Sequence, residues 1–334
     1  MPAARRPAIS LINLGGTIAA VADAQGRNAS MRLSAADIAS AVPQLSEVAE
    51  VTSVSFLNVP SASLGFHDIA ALARAIDAAA VEGAEGIVVT QGTDTLEESA
   101  WALDNLVEAD IPVVVTGAMR NAGVPGADGP ANLLAAVRVA ASPLAHDLGT
   151  LVVFDDQIHA ARFVTKTHSS STSTFRSLDT GALGWINEGR VRIPLVPRRR
   201  TPRISFPANA TFPRVALVRL SLDDDGELVR TLIDTAHAGV VVEVFGGGHV
   251  PASLMDALAR LAAAKPVVFA SRTGSGELYT STGSFPGSEQ DLLASGLISA
   301  AALGGPKARV FLRLHLAAGT NREALIRAFA DTVS

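Results

Sequence analysis

The sequence predicts an α/β protein with a large N-terminal domain, whose mainly parallel sheet is flanked by helices, and a smaller C-terminal α/β domain. In both parts, short apolar runs alternate with segments in which Ala, Leu and Ile recur at three- and four-residue spacing. Between them the chain is rich in proline and arginine, which is typical of a linker. We predict an N-terminal domain over 1–190, a linker over 191–213 and a C-terminal domain over 214–334.

In the first domain, apolar runs and helix-period segments follow each other as expected of a parallel sheet. The strands are predicted at 8–14, 50–57, 86–90, 111–116 and 149–154, and the helices at 34–41, 68–82, 96–108 and 129–141. Ser34 and Asp68 are predicted N-caps, because a short side-chain oxygen can accept hydrogen bonds from the free N–H groups of a first turn.

The second domain repeats this pattern on a smaller scale. Its strands are predicted near 215–220, 239–244, 266–270 and 309–314, and its helices near 226–237, 251–264 and 320–331. The basic run Arg198-Arg199-Arg200 lies in the linker, where a solvated turn is favoured over an anion or partner site.

Composition excludes several classes of protein. Hydrophobic residues make up 48% of the chain, enough for buried cores, yet no apolar run approaches the roughly 20 residues of a membrane-spanning helix. A net charge of −5 argues against a nucleic-acid partner. The start, Met1–Pro7, is not followed by a cleavage signal, so a cytoplasmic location is expected.

Metal and cofactor sites are not predicted either. The chain has no cysteine, and its seven histidines never fall at the spacing of a zinc site. Gly15-Gly16 lacks the third glycine of a dinucleotide-binding turn.

Two Gly-Thr turns directly follow predicted strands, Gly15-Gly16-Thr17 after 8–14 and Gly92-Thr93-Asp94 after 86–90. Ligands of open α/β sheets bind at the carboxyl ends of the strands. A threonine hydroxyl is a weak nucleophile, so catalysis through it requires an adjacent base and a group that stabilises the oxyanion. Taken singly, the first turn also fits an ordinary turn with a capping hydroxyl, and the second fits a loop in which Asp94 or Thr95 caps the following helix.

A third polar segment, Phe163–His168, contains Lys166. A partly desolvated Lys166 near Thr93 could accept a proton, with Asp94 holding it in place. The alternative is a solvated lysine in a polar loop, and His168 is interpreted as an ordinary loop histidine.

Together these segments resemble the bacterial-type L-asparaginase family along nearly the whole chain. The matching words are Leu14-Gly15-Gly16-Thr17-Ile18-Ala19, Thr90-Gln91-Gly92-Thr93-Asp94-Thr95, Gly117-Ala118-Met119-Arg120, Ala127-Asp128-Gly129-Pro130 with Asn132-Leu133, and Val164-Thr165-Lys166-Thr167. The resemblance implies two α/β domains, a homotetramer, and cofactor-free hydrolysis of a small side-chain amide to an acid and ammonia.

By position, the resemblance makes Thr17 the nucleophile that forms an acyl-enzyme, and makes Thr93, Asp94 and Lys166 the group that activates it and later the water. A backbone N–H near Thr93 is the expected oxyanion donor. The implied substrate-binding residues are Gly16, Ser61, Ala62, Gly92 and Asp94, with Ser61 on the α-carboxylate and Asp94 on the α-amino group.

The chain departs from the family in the residues that recognise the substrate. The family usually has glutamine at the position of Ala62 and a tyrosine in the loop that corresponds to 18–33, whereas the only tyrosine here is Tyr279. The asparagine and glutamate that the family's C-terminal domain often supplies have no clear equivalent in Phe245–His249 and Ser271–Glu277. Arg27, His249, Arg272 and Tyr279 either line a differently shaped pocket or are ordinary surface residues.

We therefore expect an amidohydrolase acting on the side-chain amide of a small amino acid, with L-asparagine as the first candidate. The alternatives are the same mechanism on another small amide or lactam, and a non-catalytic protein that binds an amino acid.

Overall fold

A computed structural model describes residues 5–21, 30–197, 203–207 and 210–333. The chain forms two compact units, residues 1–203 and 204–334. The domain and linker boundaries at 190 and 213 stay predictions. Arg27 and the basic run Arg198–Arg200 lie outside the described residues.

The first unit contains twelve described strands and five described α-helices. The strands are β1 (Ala8–Asn13), β2 (Ala20–Val21), β3 (Ser30–Met31), β4 (Glu50–Ser55), β5 (Gly86–Thr90), β6 (Val113–Thr116), β7 (Thr150–Phe154), β8 (Gln157–Ala160), β9 (Thr165–Lys166), β10 (Phe175–Arg176), β11 (Gly184–Asn187) and β12 (Arg190–Arg192). The helices are α1 (Ala35–Ser40), α2 (Leu45–Val48), α3 (Phe66–Val81), α4 (Leu96–Leu106) and α5 (Gly129–Ala140).

Eight of these strands form one sheet in the order β12-β11-β8-β7-β6-β5-β1-β4. Five neighbouring strands pair in parallel, in the order β4, β1, β5, β6 and β7. The sheet continues with the antiparallel strands β8, β11 and β12. Every residue of β5, β6 and β7 is buried, as expected of strands covered on both faces. The continuous apolar runs that predicted these strands follow from this burial.

Of the helices α1, α3 and α4, only α1 begins with a side-chain N-cap. Ser34 caps α1 as predicted, in a capping box with Asp37. The prediction that Asp68 is an N-cap is wrong, because α3 begins two residues earlier and Asp68 accepts a hydrogen bond from the N–H of Gly65. Thr95 precedes α4 without a side-chain cap, since its hydroxyl donates to the carbonyl of Ser61.

The second unit has a four-stranded parallel sheet in the order β13-β14-β15-β16. These strands are β13 (Val215–Arg219), β14 (Gly239–Val244), β15 (Val267–Ser271) and β16 (Ile298–Ser299). The helices are α6 (Glu227–Ile233), α7 (Met255–Ala264), α8 (Glu289–Ala294), α9 (Gly305–Ala317) and α10 (Arg322–Ala330). The predicted α/β fold class is confirmed in both units.

The strand predicted at 309–314 is wrong, because these residues lie in α9. Gly304 precedes the helix and Pro306 occupies its first turn, where a missing N–H costs nothing. The buried residues Val310, Phe311 and Leu314 lie at helical spacing on one face. The run resembled a strand because three adjacent apolar residues, 310–312, are followed by strict alternation of apolar and polar residues over 312–316.

Among the described residues, no helix combines the length and apolar character that crossing a membrane requires.

Candidate active site

The two Gly-Thr turns lie side by side at the carboxyl edge of the large sheet. They follow β1 and β5, which are parallel neighbours whose last residues, Asn13 and Thr90, are directly paired. A Cβ on Gly16 would lie 2.1 Å from the backbone nitrogen of Gly92. The residues that precede Thr17 and Thr93 are therefore in backbone contact, although they are far apart in sequence.

Glycine is required in both turns. Gly15 and Gly16 have φ angles of 101° and 83°, which other residues rarely adopt. A Cβ on Gly15 would lie 2.7 Å from the nitrogen of Val59, and one on Gly92 would lie 2.7 Å from Ser61 Oγ. These contacts bring a third segment, residues 59–63, against the two turns.

Thr17 begins a 3-10 turn, Thr17–Ala19, and is partly buried, while Ile18 and Ala19 are fully buried. The buried neighbours anchor the turn. Residues 22–29, in the loop over 18–33, lie outside the described part of the chain.

Thr93, Asp94 and Lys166 form a hydrogen-bonded group. Lys166 Nζ donates to Thr93 Oγ1 at 2.9 Å and to Asp94 Oδ1 at 2.8 Å. The Lys166 side chain is 15% exposed and Thr93 is buried, whereas the Asp94 side chain is 72% exposed. The group thus reaches from the interior to the surface, and the lysine is held by two partners.

Glu97, in the first turn of α4, fixes the position of Lys166. Its Oε2 accepts a hydrogen bond of 2.9 Å from the backbone N–H of Lys166. On the neighbouring strand, Phe175 pairs with Lys166 and packs on Phe154, with ring centroids 4.4 Å apart. Sequence reasoning missed the role of Glu97, since an acidic residue early in a helix is common for the helix dipole alone.

Ser61 and Ala62 lie in a 3-10 turn, Ser61–Ser63, beside the second Gly-Thr turn. Ser61 is buried; its Oγ accepts from the N–H of Asp94 at 3.2 Å and its carbonyl accepts from Thr95. Ala62 is exposed. Ser61 therefore ties its turn to the one that carries Asp94, while its contact with a substrate carboxylate stays a prediction.

Two further segments that carry the family resemblance, 117–120 and 127–133, contact each other next to the site. A Cβ on Gly117 would lie 2.4 Å from the carbonyl oxygen of Gln91, directly before Gly92. Asp128 accepts hydrogen bonds from the N–H groups of Met119 and Arg120, and Asn132 donates to the carbonyl of Gly117. These residues are structural, and none of them contributes a group to the turns themselves.

In the second unit, the residues discussed for a differently shaped pocket lie at the carboxyl ends of β14 and β15. The rings of His249 and Tyr279 are 6.2 Å apart, and Arg272 stacks on Phe245 at 4.3 Å. Glu277 is exposed. The contribution of these side chains to a pocket stays a prediction.

Sequence reasoning missed Glu289, which is fully buried at the start of α8. Its Oε1 accepts from the N–H groups of Thr282 and Gly283 at 2.7 and 2.6 Å, and its Oε2 lies 3.5 Å from His249 Nε2. Burial raises the pKa of Glu289, but the hydrogen bonds from Gly283, Glu289 and Thr282 and the nearby His249 together hold that pKa below its usual value.

Over the described ranges, no three His, Asp or Glu side chains converge on a point where they could hold a metal ion. The predictions of no metal and no cofactor stay predictions.

The arrangement brings together a hydroxyl-bearing turn, a second hydroxyl bonded to a lysine, and an aspartate on the same lysine. Such a set can move a proton between a hydroxyl and an amine. It is suited to nucleophilic attack on a polar carbonyl group.

Comparison with known proteins places the chain in a family. The family model "Asparaginase, N-terminal" matches residues 8–198, and "Glutaminase/Asparaginase C-terminal domain" matches residues 214–329. An L-asparaginase of Bacillus licheniformis is 34% identical over 92% of this chain and 95% of its own length. A probable periplasmic L-asparaginase of Haemophilus influenzae is 32% identical over 98% of this chain and 94% of its own length.

A solved structure agrees with these matches. The crystal structure of a probable cytoplasmic L-asparaginase from Campylobacter jejuni superimposes with a TM-score of 0.88 at 31% identity, covering 97% of this chain and 99% of that one. The resemblance found in the sequence is thereby confirmed. The chain belongs to the asparaginase family of amidohydrolases.

Proposed function

We propose that this protein hydrolyses the side-chain amide of a small amino acid, with L-asparagine as the first candidate substrate, through an acyl-enzyme on Thr17. The observation that carries this proposal is the hydrogen-bonded group of Thr93, Asp94 and Lys166 on a turn in backbone contact with the turn of Thr17. Family membership supports the reaction class.

In the first step, Thr17 Oγ attacks the amide carbon. A carbon–oxygen bond forms, the carbon–nitrogen bond breaks, and the hydroxyl proton passes to the leaving nitrogen, which departs as ammonia. The N–H of Asp94 already donates to Ser61 Oγ. The proposed oxyanion donor is therefore the N–H of Thr93, close to the reacting carbonyl.

In the second step, water attacks the ester carbon and the acid is released. Thr93 Oγ1 takes a proton from the attacking water and passes its own hydroxyl proton to Lys166 Nζ. Asp94 orients the lysine through its 2.8 Å contact. The proton finally returns to Thr17 Oγ, so that the free enzyme is restored.

The test measures ammonia release from asparagine and looks for a covalent adduct by mass spectrometry after acid quenching. The wild type is expected to release ammonia and to carry the adduct, and Thr17→Ala is expected to do neither. The matched control is Thr231→Ala, since Thr231 is an exposed threonine of α6 whose hydroxyl donates within its own helix. Near-native turnover by Thr17→Ala contradicts the assignment of the nucleophile.

A second candidate is the same mechanism on a different small amide or lactam. The exposed Ala62, where the family usually has glutamine, favours it, as does the absence of tyrosine from 18–33. A site that recognises a polar substrate discriminates through its hydrogen bonds, and this site has lost some of them. A panel of amides decides: asparagine turnover at or above that of every other amide overturns this candidate.

The same panel tests a non-catalytic role. Thermal stabilisation by asparagine, glutamine or their D-isomers without any ammonia release identifies a binding protein.

We also propose a homotetramer in the cytoplasm, as the sequence predicts. Light scattering of the purified protein tests the tetrameric state, and cell fractionation tests the cytoplasmic location. The relatives described above include both a cytoplasmic and a periplasmic protein by name, so fractionation is required.

A further inference from the structure

A buried polar pair joins the ends of the two strands that carry the Gly-Thr turns. Asn13 ends β1 and is 1% exposed, and Thr90 ends β5 and is 0% exposed. Asn13 Oδ1 accepts a hydrogen bond of 2.9 Å from Thr90 Oγ1 and one of 3.1 Å from the N–H of Gly15. One side-chain oxygen thus connects the first turn to the strand that leads into the second.

Asn13 is a polar residue at the buried end of β1. The preceding residues Leu11 and Ile12 are apolar and buried, and a buried polar group destabilises the fold unless its hydrogen bonds are satisfied. The backbone carbonyl of Asn13 also accepts from the N–H groups of Phe56 and Leu57. Asn13 therefore holds β1, β5 and the chain beyond β4 at one point.

The two turns have little freedom to adjust. Gly16 and Gly92 are so close that a Cβ on Gly16 would overlap the backbone of Gly92. A small shift of the first turn consequently moves the second, and with it the Thr93 hydroxyl that Lys166 contacts. Catalysis depends on such placement, because a misplacement of about 1 Å can lower a rate by about a hundredfold.

We propose that Asn13 and Thr90 are positioning residues that hold the Thr17 turn and the Thr93 turn in register for attack on the amide. This inference rests on the proposed function. Neither side chain touches the substrate. Their contribution is to the geometry of the two turns, so it is expected in kcat rather than in KM.

Thr116 provides a matched control for Thr90. It is paired with Thr90 across the same row of the sheet, is 0% exposed, and its hydroxyl donates to the carbonyl of Val153 at 2.7 Å. Thr90→Val and Thr116→Val therefore remove the same hydroxyl at the same depth. Only the first removes a bond to Asn13.

The experiment measures kcat, KM and the unfolding free energy for the wild type, Thr90→Val, Thr90→Ser and Thr116→Val. Thr90→Val is expected to lower kcat about 10- to 100-fold with KM nearly unchanged, and Thr90→Ser, which keeps the hydroxyl, to restore most of the rate. Thr116→Val is expected to lose similar stability and keep its kcat.

Hydrogen exchange supplies a readout that does not depend on turnover. The amide of Gly15 is expected to exchange faster in Thr90→Val and in Asn13→Ala than in Thr116→Val, and the Asn13→Ala variant serves if Thr90→Val does not fold. An active wild type whose kcat is unaffected by Thr90→Val, or equally lowered by both valine substitutions, overturns the inference. A wild type that releases no ammonia from any amide of the panel overturns the proposed function instead.

Discussion

The carboxyl ends of the two parallel sheets carry carboxylates that are used in opposite ways. In the first unit, the Asp94 side chain is 72% exposed and bonds to another side chain, Lys166. In the second unit, Glu289 is fully buried and accepts from the backbone N–H groups of Thr282 and Gly283. Both lie where α/β proteins place ligand sites. The difference teaches that position at a strand end does not identify a catalytic acid.

What separates the two is the partner of the carboxylate. Glu289 stabilises its loop because its Oε1 accepts from two backbone N–H groups, while its Oε2 faces His249 Nε2 at 3.5 Å. A carboxylate that orients a lysine leaves that lysine able to exchange protons with a hydroxyl. Substitutions at the first end should therefore change rates, and substitutions at the second should change stability.

The largest effect is expected for Lys166→Met. Removal of the amine takes away the proton acceptor of Thr93, so kcat should fall about 10²- to 10⁴-fold. The unfolding free energy should change by no more than about 1 kcal/mol, because the ion pair with the exposed Asp94 is screened by solvent. Steady-state kinetics and urea unfolding measure the two quantities.

Lys265→Met is the matched control. Lys265 Nζ donates to the carbonyls of Leu232 and Thr235, so its loss should cost about 1–2 kcal/mol of stability and leave kcat unchanged. A wild-type kcat in Lys166→Met would contradict this contrast, in which substitutions at the first sheet end change rates and those at the second change stability.

The next effect concerns the second unit. Glu289→Ala leaves the N–H groups of Thr282 and Gly283 without their acceptor and should lower the unfolding free energy by about 2–4 kcal/mol. Glu289→Gln keeps an oxygen for both bonds and should lose less.

The stabilisation by Glu289 in the wild type depends on pH in a definite direction. The pKa of Glu289 is lowered on folding from its ordinary value of 4.5. The unfolded chain therefore binds the proton first, and the stabilisation by Glu289 is present above pH 4.5 and lost as the pH falls further. Unfolding curves between pH 3 and 7 should show this loss in the wild type and not in Glu289→Gln. Equal slopes would mean that the carboxylate does not stabilise the loop.

A partly buried histidine of α9 in the same unit, His315, gives an internal reference. Burial lowers the pKa of His315 from 6.5 to about 4. Since the unfolded chain is protonated first, stability is complete above pH 6.5 and declines as the pH falls from 6.5 to 4, by an amount on the order of 1–3 kcal/mol. In His315→Gln, the unfolding free energy should no longer decline between pH 6.5 and 4, and its pH dependence outside this interval should stay that of the wild type. A slope that persists in this variant would assign the acid sensitivity to other groups.

The sequence carried enough information to place both Gly-Thr turns at strand ends. The runs before them are mainly apolar because β1 and β5 are buried, and the glycines are required by positive φ and by close contacts. That the helix 305–317 was predicted in part as a strand shows the converse. Where apolar and polar residues alternate over a short stretch, as in Leu312-Arg313-Leu314-His315-Leu316, the pattern is that of a strand although the residues are helical.

Two of the groups that sequence reasoning missed, Glu97 and Asn13, are held by partners distant in the chain. Glu97 bonds to the backbone of a residue 69 positions away, and Asn13 bonds to one 77 positions away. No local pattern reports such a pairing. A polar residue at the end of a buried strand, such as Asn13, is the one signal that was available, because burial of an amide requires a partner.

The smallest effect is expected for Ala62→Gln, which tests the recognition side of the first sheet end. Ala62 is exposed beside the buried Ser61, so a longer side chain can be added without disturbing the turn. A glutamine amide there supplies hydrogen bonds to a polar substrate, and we expect KM for asparagine to fall several-fold, equivalent to about 1 kcal/mol, with kcat little changed. Ser63→Gln, which adds the same side chain one turn position further on, should leave KM as it is. An unchanged KM in Ala62→Gln would mean that the substrate approaches the Thr17 turn along a different path, and that the first sheet end differs from its relatives in shape as well as in its hydrogen-bonding groups.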